Sequence, residues 1–208
     1  MGKFTYKTKI ERREGTHLHL KGDRCSSPKC ALTRRNFVPG VHGPLQRRHT
    51  TPYGEQLREK QKVKRFYGLL EKQFRRYFDK ASTLKGDTGV FFAHALESRF
   101  DNVVYRVGFA SSRRQARQMV NHAHFLVNGQ PNNIPSLHVC AGDVISVKKS
   151  KQSSKLYQSL PERISKITLP TWATVDVAKF EAKILTEPDT DDVLNQFDLK
   201  KIIEFYSR

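Results

Sequence analysis

The sequence predicts an α+β fold in which helices precede a small antiparallel sheet. Apolar residues over 55–82 recur at steps of three and four, which is the period of an amphipathic helix. Further along, a short helix that begins after Ser112 leads into an alternating apolar run at 125–127, and a second such run follows at 144–147. Residues 96–147 are therefore expected to form two helices followed by two short strands that pair antiparallel.

Residues 1–45 are expected to form an extended basic arm with little core of its own. Apolar side chains are sparse there, and the stretch 38–44 (VPGVHGP) is typical of turns. A basic arm of this kind gains order when it binds a polyanion. The arm and the residues just beyond it contain three arginine pairs that are candidate phosphate ligands: Arg12, Arg13, Arg34, Arg35, Arg47 and Arg48.

Cys25 and Cys30 lie in this arm, downstream of His17 and His19. Two thiolates and two imidazoles could supply a tetrahedral zinc site. Two free thiols in a loop are the alternative, which is favoured by the uncommon spacing and by the absence of a second cysteine pair from the sequence. We therefore expect no cofactor, with zinc as the less favoured alternative.

The helical pattern over 55–82 has an apolar face and a basic face. The apolar face runs from Leu57 to Phe78 and is expected to lie in the core, and Gly68 should end one helix before another begins. Nearby acidic residues are too few to pair with the whole basic face, so phosphate contacts are favoured over a merely solvated surface. The cations of this face are Arg58, Lys60, Lys62, Lys64, Arg65, Lys72, Arg75 and Arg76.

A further helix is expected over 90–107, where leucine and valine side chains suggest a buried face. Glu97, Arg99 and Asp101 are expected on its exposed side, because charged residues rarely lie in a core. Gly108 is suited to end this helix, since glycine adopts the left-handed conformation of a helix C-terminus without strain.

The prediction of a binding site is built around the stretch from Ser112 to Gly129. Ser112 and Gln115 have the spacing of a capping box, and Asn128 with Gly129 predicts a tight turn between strands. The remaining polar side chains can bind phosphate oxygens, riboses or base edges, although a solvated helix face fits so short a basic run equally well. They are Arg113, Arg114, Arg117, Gln118, Asn121 and His122.

The charge of the chain points to a polyanionic partner. The formal net charge is +18, and residues 1–150 carry all of it, because residues 151–208 contain nine basic and nine acidic side chains. Nucleic acid is the favoured partner. A membrane is disfavoured, because the sequence contains no apolar run long enough to cross a bilayer and no lipidation motif. The absence of a secretory signal and the odd number of cysteines, three, favour a cytoplasmic location.

An enzymatic function is not expected. His122, His124, Cys140 and Asp143 lie close in sequence and could be imagined as a nucleophile, a base and an orienting acid. Cys140 lies between two apolar residues, however, and is expected to pack as a small apolar side chain. The sequence contains no Walker A loop, no dinucleotide fingerprint and no H-E-x-x-H motif, so no small-molecule substrate is expected.

Six strings of the sequence are informative when they are taken together and in order. They are CALTRRNFVPGVHG (30–43), LREKQKVKRFYGLLEKQFRRYF (57–78), LESRFDNVVYRVGFASSRRQARQMVNHAHFLVNG (96–129), IPS (134–136), GDVISV (142–147) and EFYSR (204–208). These strings resemble, in the same order, those of the family of the fourth protein of the bacterial small ribosomal subunit. The resemblance covers nearly the whole chain. The region around 96–147 resembles the small RNA-binding module that bears the family's name.

The resemblance implies a mainly helical domain made of two chain segments. Its first segment would be 46–95 and its second 168–208. The RNA-binding module would be inserted between them at 96–150, followed by a polar connection at 151–167.

The resemblance also implies a structural, non-catalytic constituent of the small ribosomal subunit that acts in translation. Members of the family bind small-subunit (16S) ribosomal RNA early in ribosome assembly and organise a junction of several helices in its five-prime domain. The implied partners are this RNA, the fifth small-subunit protein, and the mRNA near the place where it enters the subunit, where family members influence decoding accuracy. The implied location is the ribosome, in the cytoplasm.

Two departures from the family pattern bear on these expectations. Many members bind zinc through two cysteine pairs, but Thr8 and Glu11 stand where the first pair would be. The family zinc site is therefore expected to be absent unless His17 and His19 substitute for it. Ala123 stands where the family usually has glycine between two histidines, and at positive φ this alanine would cost about 1 kcal/mol.

Overall fold

The computed structural model describes residues 7–45 and 51–207, which form two compact units. Unit 1 contains the described residues up to Ala93 together with those from Asp191 onwards, and unit 2 spans His94–Thr190. Helices and an antiparallel sheet are both present, so the predicted α+β class is confirmed. Within these described ranges, none of the helices is long and apolar enough to cross a bilayer.

Helices and strands alternate in blocks along the described ranges. The helices are α1 (Lys7–Glu14), α2 (Ala31–Arg34), α3 (Pro52–Phe66), α4 (Glu71–Ser82), α5 (Thr88–Glu97), α6 (Phe100–Arg106), α7 (Arg113–Asn121), α8 (Lys149–Gln152), α9 (Lys155–Gln158), α10 (Leu160–Lys166), α11 (Asp191–Gln196) and α12 (Leu199–Tyr206). The strands are β1 (Phe125–Val127), β2 (Gln130–Asn132), β3 (Val144–Val147), β4 (Ala173–Asp176) and β5 (Glu181–Ile184). Short 3-10 turns occur at Gly22–Ser26 and Gly43–Leu45.

Unit 1 is built on α3 and α4, which form from the long helical pattern of the sequence. Thr51 caps α3, because its hydroxyl accepts a hydrogen bond of 3.2 Å from the backbone N–H of Gly54. Gly68 separates the two helices with φ +65°, as predicted. The predicted apolar face is largely buried, with Phe66 and Phe74 in the core, but Leu70 of the same face is 45% exposed.

The C-terminal helix α12 packs along α3 and completes unit 1. Gln56 Nε2 donates a hydrogen bond of 2.8 Å to Glu204, and the rings of Phe66 and Phe197 lie edge to face with their centroids 5.1 Å apart. The last segment of the chain therefore belongs to the same core as the long helices near its beginning, as the resemblance implies.

The described part of the N-terminal segment is more ordered than the extended arm that the sequence predicted. It contains α1 and α2, and Leu18 and Leu32 are buried. Arg12 Nε donates hydrogen bonds of 3.1 Å to the carbonyl oxygens of both Arg35 and Phe37. The prediction of an extended arm with little core needs correction, because two short helices, a few buried side chains and these side chain–backbone bonds give the segment a defined structure.

The sheet of unit 2 has the strand order β2-β1-β3-β5-β4, and every neighbouring pair in it is antiparallel. Phe125 of β1 lies opposite Val147 of β3, and Ile145 of β3 lies opposite Ala182 of β5. These four side chains belong to one apolar core with residues of α6 and α7. Helices α6 and α7 therefore pack against one face of the sheet.

The boundary of the inserted module differs from the predicted one. The resemblance implied that 168–208 belongs to the helical domain, but β4 and β5 join the sheet of unit 2, and only the described residues from Asp191 onwards belong to unit 1. The physical reason is that isolated pairs of short strands are marginally stable. Strand β5 pairs with the edge of β3 and buries Ala182 and Ile184.

The segment 151–167, predicted to be a polar connection, folds mostly into α9 and α10 as part of unit 2. Tyr157 and Leu160 are buried in the core of that unit. These two apolar side chains anchor the segment to the core. The prediction missed them because it was based on the mostly polar composition of the whole segment.

The helix predicted over 90–107 is in fact two helices, α5 and α6, separated by two residues. Arg99 has extended backbone angles, φ −66° and ψ 136°, and forms an isolated β-bridge with His138. The side chains of Glu97, Arg99 and Asp101 were expected on an exposed face, but these residues are only 1%, 2% and 4% exposed. The expectation of exposure was wrong, because the charged groups neutralise one another inside the protein.

Candidate nucleic-acid interface

Helix α7 presents a stripe of polar side chains to solvent. Ser112 caps the helix, since its hydroxyl accepts a hydrogen bond of 3.3 Å from the backbone N–H of Gln115. The inner face of α7 carries three buried apolar side chains, which fix the rotation of the helix about its axis. Four of the predicted binding residues lie exposed along or just after α7, namely Arg114, Gln118, Asn121 and His122.

The other two predicted residues of α7, Arg113 and Arg117, are held by α6. Arg113 Nε donates a hydrogen bond of 2.8 Å to Asn102 Oδ1, and its guanidinium carbon lies 4.5 Å from the centroid of the Tyr105 ring. Arg117 Nη1 lies 3.5 Å from Asp101 Oδ2. These two arginines therefore fasten α7 to α6, and their binding of phosphate stays a prediction.

A buried charged network supports these contacts from below. Asp101 accepts two hydrogen bonds from Arg99, at 3.1 Å from Nε and at 2.9 Å from Nη2. Glu97 accepts hydrogen bonds of 2.9 Å from Asn102 Nδ2 and from Arg106 Nε. Sequence reasoning missed this network, because residues two apart do not face each other along a helix. The break before α6 is what lets Arg99 reach Asp101.

The predicted cations of α3 have carboxylate partners inside unit 1. Arg58 and Arg65 both pair with Glu14, whose side chain is buried. Burial raises the pKa of the Glu14 carboxyl, and the charges of Arg65 and Arg58 oppose that rise. The remaining pairs are Lys62 with Glu59, Lys60 with Glu71 and Lys64 with Glu71. The structure thus gives all five cations a role in the fold, and their contact with RNA stays a prediction.

Lys60 is a structural cation rather than part of an open face. It is 6% exposed, and its Nζ lies 2.7 Å from Glu71 Oε1 and 4.4 Å from the ring centroid of Phe205. The hydroxyl of Tyr206 donates a hydrogen bond of 2.9 Å to the same carboxylate. Burial alone would raise the pKa of Glu71, but hydrogen bonds from Lys60, Lys64 and Tyr206 outweigh it and lower the pKa to about 2. The expected position of Lys60 on an exposed face was therefore wrong.

Helix α4 does present an open basic face. The three predicted cations there are exposed, namely Lys72, Arg75 and Arg76. Arg75 Nε lies 3.9 Å from Asp79, which is a weak pair between exposed side chains. This face is therefore available to a polyanion without breaking a buried contact.

The predicted arginines of the N-terminal segment divide into three groups. Arg13, Arg34 and Arg35 are exposed. Arg12 is half-buried, with its guanidinium carbon 4.7 Å from the ring centroid of Phe37. The predicted residues Arg47 and Arg48 lie outside the described residues.

The residues that the resemblance places at a zinc site make contacts with other groups of the protein. Glu11 is 1% exposed and its Oε1 accepts hydrogen bonds from the N–H of Leu20, at 3.0 Å, and from the Cys25 thiol, at 3.5 Å. Burial raises the pKa of the Cys25 thiol to about 11. Cys30 Sγ lies 3.8 Å from His17 Nδ1. In the described ranges, no group of three or more histidine, cysteine or acidic side chains is arranged to hold a metal ion.

The cysteine, histidine and acid considered as a catalytic set have other partners. Cys140 is exposed rather than packed, and its Sγ lies 3.7 Å from His138 Nδ1. The carboxylate of Asp143 accepts a hydrogen bond of 2.8 Å from the backbone N–H of Cys140. His124 Nδ1 lies 3.2 Å from the Tyr157 hydroxyl. The expectation that Cys140 packs was wrong, because it lies in the exposed turn before β3.

Two family models match the chain in adjacent segments. Residues 4–97 match the model described as the ribosomal protein S4/S9 N-terminal domain. Residues 98–145 match the model of the S4 domain, and this range contains α6, α7, β1, β2 and the first two residues of β3. The two matches meet close to the division between the two structural units.

Curated relatives match the chain over nearly its full length. Small ribosomal subunit protein uS4 of Halothermothrix orenii is 52% identical, over 95% of this chain and 94% of the relative. The protein of that name from Syntrophomonas wolfei is 47% identical over 100% of both chains. Small ribosomal subunit protein uS4A of Alkaliphilus metalliredigens is 50% identical, over 95% of this chain and 94% of the relative. The chain belongs to the uS4 family of small ribosomal subunit proteins.

Proposed function

We propose that this chain is a non-catalytic constituent of the small ribosomal subunit that binds small-subunit ribosomal RNA. The observation that carries the proposal is the outer face of α7, where Arg114, Gln118, Asn121 and His122 lie exposed on a helix held by a buried network. A guanidinium binds phosphate oxygens, and amides bind riboses or base edges. The full-length similarity to uS4 proteins supports the ribosomal setting.

The binding would be mainly electrostatic and geometric. Lysine and arginine side chains replace counterions around phosphates, which accounts for a positive charge of +18 in a chain of 208 residues. Shape and phosphate position would outweigh base reading, since the major groove of an RNA helix is too narrow for side chains. The network under α7 holds the helix in one orientation, so little side-chain and backbone freedom is lost on binding.

Unit 1 would contribute separate phosphate contacts. The exposed cations of α4 and of the N-terminal segment support this part of the proposal. They are Arg13, Arg34, Arg35, Lys72, Arg75 and Arg76. Two units that each carry basic side chains would bind two RNA segments at once, which is how a protein stabilises a junction of helices.

The family resemblance supports finer proposals about the setting. The RNA would be the five-prime domain of 16S ribosomal RNA, bound early in assembly at a junction of several helices. The fifth small-subunit protein would be a neighbour, and the mRNA would pass nearby as it enters the subunit, where the protein would contribute to decoding accuracy. These proposals place the protein in the cytoplasm, within the ribosome.

The α7 face can be tested with variants of the full chain. Replacing Arg114, Gln118 and Asn121 with alanine should weaken binding to a five-prime-domain transcript at least tenfold and leave the circular dichroism spectrum unchanged. A matched control removes the same three groups from exposed positions elsewhere, through Arg24→Ala, Gln196→Ala and Asn195→Ala. Equal losses of affinity in the two variants would contradict a specific role for α7. This set avoids Arg113 and Arg117, whose loss would also disturb α6.

A further inference from the structure

Three exposed lysines beside the C-terminal end of α7 belong to neither the predicted site nor the α7 stripe. Lys148, Lys149 and Lys151 lie immediately after β3, on and before the short helix α8. They have no carboxylate partner among the ion pairs of the described residues. We name these three residues the lysine cluster.

The lysine cluster is held in place by the core of unit 2. The backbone N–H of Lys148 donates a hydrogen bond of 2.8 Å to the carbonyl oxygen of His124, just after α7. Gln152 Nε2, at the other end of α8, donates one of 2.9 Å to the carbonyl oxygen of Val147. The buried Tyr157 follows, and its hydroxyl lies 3.2 Å from His124 Nδ1. These contacts fix α8 beside the end of α7, so its lysines are not part of a loose polar run.

The lysine cluster lies near His124, which follows the C-terminal end of α7. Burial lowers the pKa of His124, and the nearby positive charges of Lys151 and His122 lower it further. Lys151 and His122 therefore lie close to the same imidazole, although they come from α8 and from the end of α7. The positive charges of the three lysines repel one another, and a bound polyanion relieves that repulsion.

We propose that the lysine cluster is a second phosphate-binding site of unit 2, which takes the RNA backbone as it leaves the C-terminal end of α7. This inference rests on the proposed RNA-binding function and names a contact that the sequence did not indicate. RNA is favoured over an acidic protein segment, because the cluster lies beside the end of α7, whose outer face carries guanidinium and amide groups. Lysines suit such a site, since they bind phosphates as mobile point charges without demanding one geometry.

The test compares two triple variants of the full chain with the wild-type protein. One variant carries Lys148→Gln, Lys149→Gln and Lys151→Gln. The control carries Lys29→Gln, Lys85→Gln and Lys200→Gln, which removes the same charge from exposed positions outside unit 2. Affinity for a five-prime-domain transcript is measured over a salt series, with a generic RNA duplex as competitor.

We expect the cluster variant to bind at least tenfold more weakly than the control. The slope of log affinity against log salt should also become shallower by about 2, because three phosphate contacts are lost. The cluster variant could match the control in affinity and slope while the wild-type protein still prefers the ribosomal transcript. That result would overturn the lysine site and leave the proposed function intact. A wild-type protein without that preference overturns the proposed function and this site together.

Lysine acetylation read by mass spectrometry gives a second measurement on unaltered protein. The three cluster lysines should be protected when the transcript is bound, whereas Lys85 and Lys200 should react at unchanged rates. Unchanged acetylation of the cluster with bound RNA would overturn the proposal. Protection that appears only in assembled subunits, and not with the transcript alone, would assign the cluster to a protein partner and would also overturn it.

Discussion

The carboxylate of Asp101 binds the guanidinium of Arg99 through two hydrogen bonds, of 3.1 and 2.9 Å, inside a core that excludes water from both groups. The same carboxylate reaches Arg117 of α7 at 3.5 Å. A charge on α6 thus joins the buried network to the helix whose outer face is proposed to bind RNA.

Removing this carboxylate should destabilise unit 2 strongly. Asp101→Ala leaves the buried Arg99 without its partner, and such a loss costs about 3–5 kcal/mol in the free energy of unfolding. The control Glu162→Ala removes an exposed carboxylate of unit 2 and should change stability by less than about 1 kcal/mol. Denaturant unfolding followed by the fluorescence of Trp172, the only tryptophan, reports on unit 2. Similar losses in the two variants would contradict the supporting role of the network.

Replacing Ala123 with glycine should stabilise unit 2. Ala123 has φ +51°, a left-handed conformation that strains an alanine side chain. Relief of that strain, less the extra freedom of glycine in the unfolded chain, should raise the free energy of unfolding by about 0.5–1 kcal/mol.

The opposite substitution at Gly142 is the control for Ala123. Gly142 has φ +91°, and an added Cβ would meet no atom within 4 Å, so Gly142→Ala introduces backbone strain without a clash. It should lower the stability of unit 2 by about 1 kcal/mol in the same fluorescence measurement. If Gly142→Ala were stabilised, or Ala123→Gly destabilised, the claim that positive φ strains an alanine at these two positions would be contradicted.

The carboxylate of Glu71 should make unit 1 sensitive to acid. Its pKa is lowered to about 2 in the folded protein, so the stability it contributes is present above its ordinary value of 4.5 and is lost as the pH falls towards 2. Glu71→Gln should therefore be less stable than wild type at pH 7, and the difference should shrink between about pH 4.5 and 2. Circular dichroism during denaturant unfolding measures this difference. A stability difference between Glu71→Gln and wild type that stays constant down to pH 2 would contradict the lowered pKa of Glu71. The control is Glu162→Gln, at an exposed position.

The buried carboxylate of Glu11 should stabilise the N-terminal segment through its hydrogen bonds, without a metal ion. Glu11→Ala removes the acceptor for the N–H of Leu20 and for the Cys25 thiol, and should cost about 1–3 kcal/mol. Glu11→Gln keeps a carbonyl acceptor and should cost less. Thermal unfolding measures both variants. A chelator should leave the Tm of the wild-type protein unchanged, and a lowered Tm after chelation would show that a metal holds this segment.

Local signals in the sequence predicted local structure well. The Ser112 cap and the glycine break at Gly68 follow from the geometry of a few neighbouring residues. The turn at Asn128 and Gly129 is of the same kind, with φ +50° and +81° as a two-residue hairpin needs. Such features depend on chemistry within one turn of the chain.

Pairings between distant residues were not predictable in the same way. The pairing of Glu14 with Arg65 and the joining of β5 to β3 depend on contacts across dozens of residues. Charged residues of α3 and α6 therefore looked like solvent-exposed or RNA-binding groups in the sequence, while the fold uses them for internal ion pairs. The exposed stripe of α7 was predictable, because its helical period and its cap both lie within 112–121.

The most direct test of the central claim is the affinity of the wild-type protein for a five-prime-domain transcript of small-subunit ribosomal RNA, across a salt series and against a generic RNA duplex. We predict tight binding that survives the competitor, with log affinity falling linearly as log salt rises. Equal affinity for the transcript and the duplex would contradict the proposed function, because the chain would then act as a nonspecific polycation.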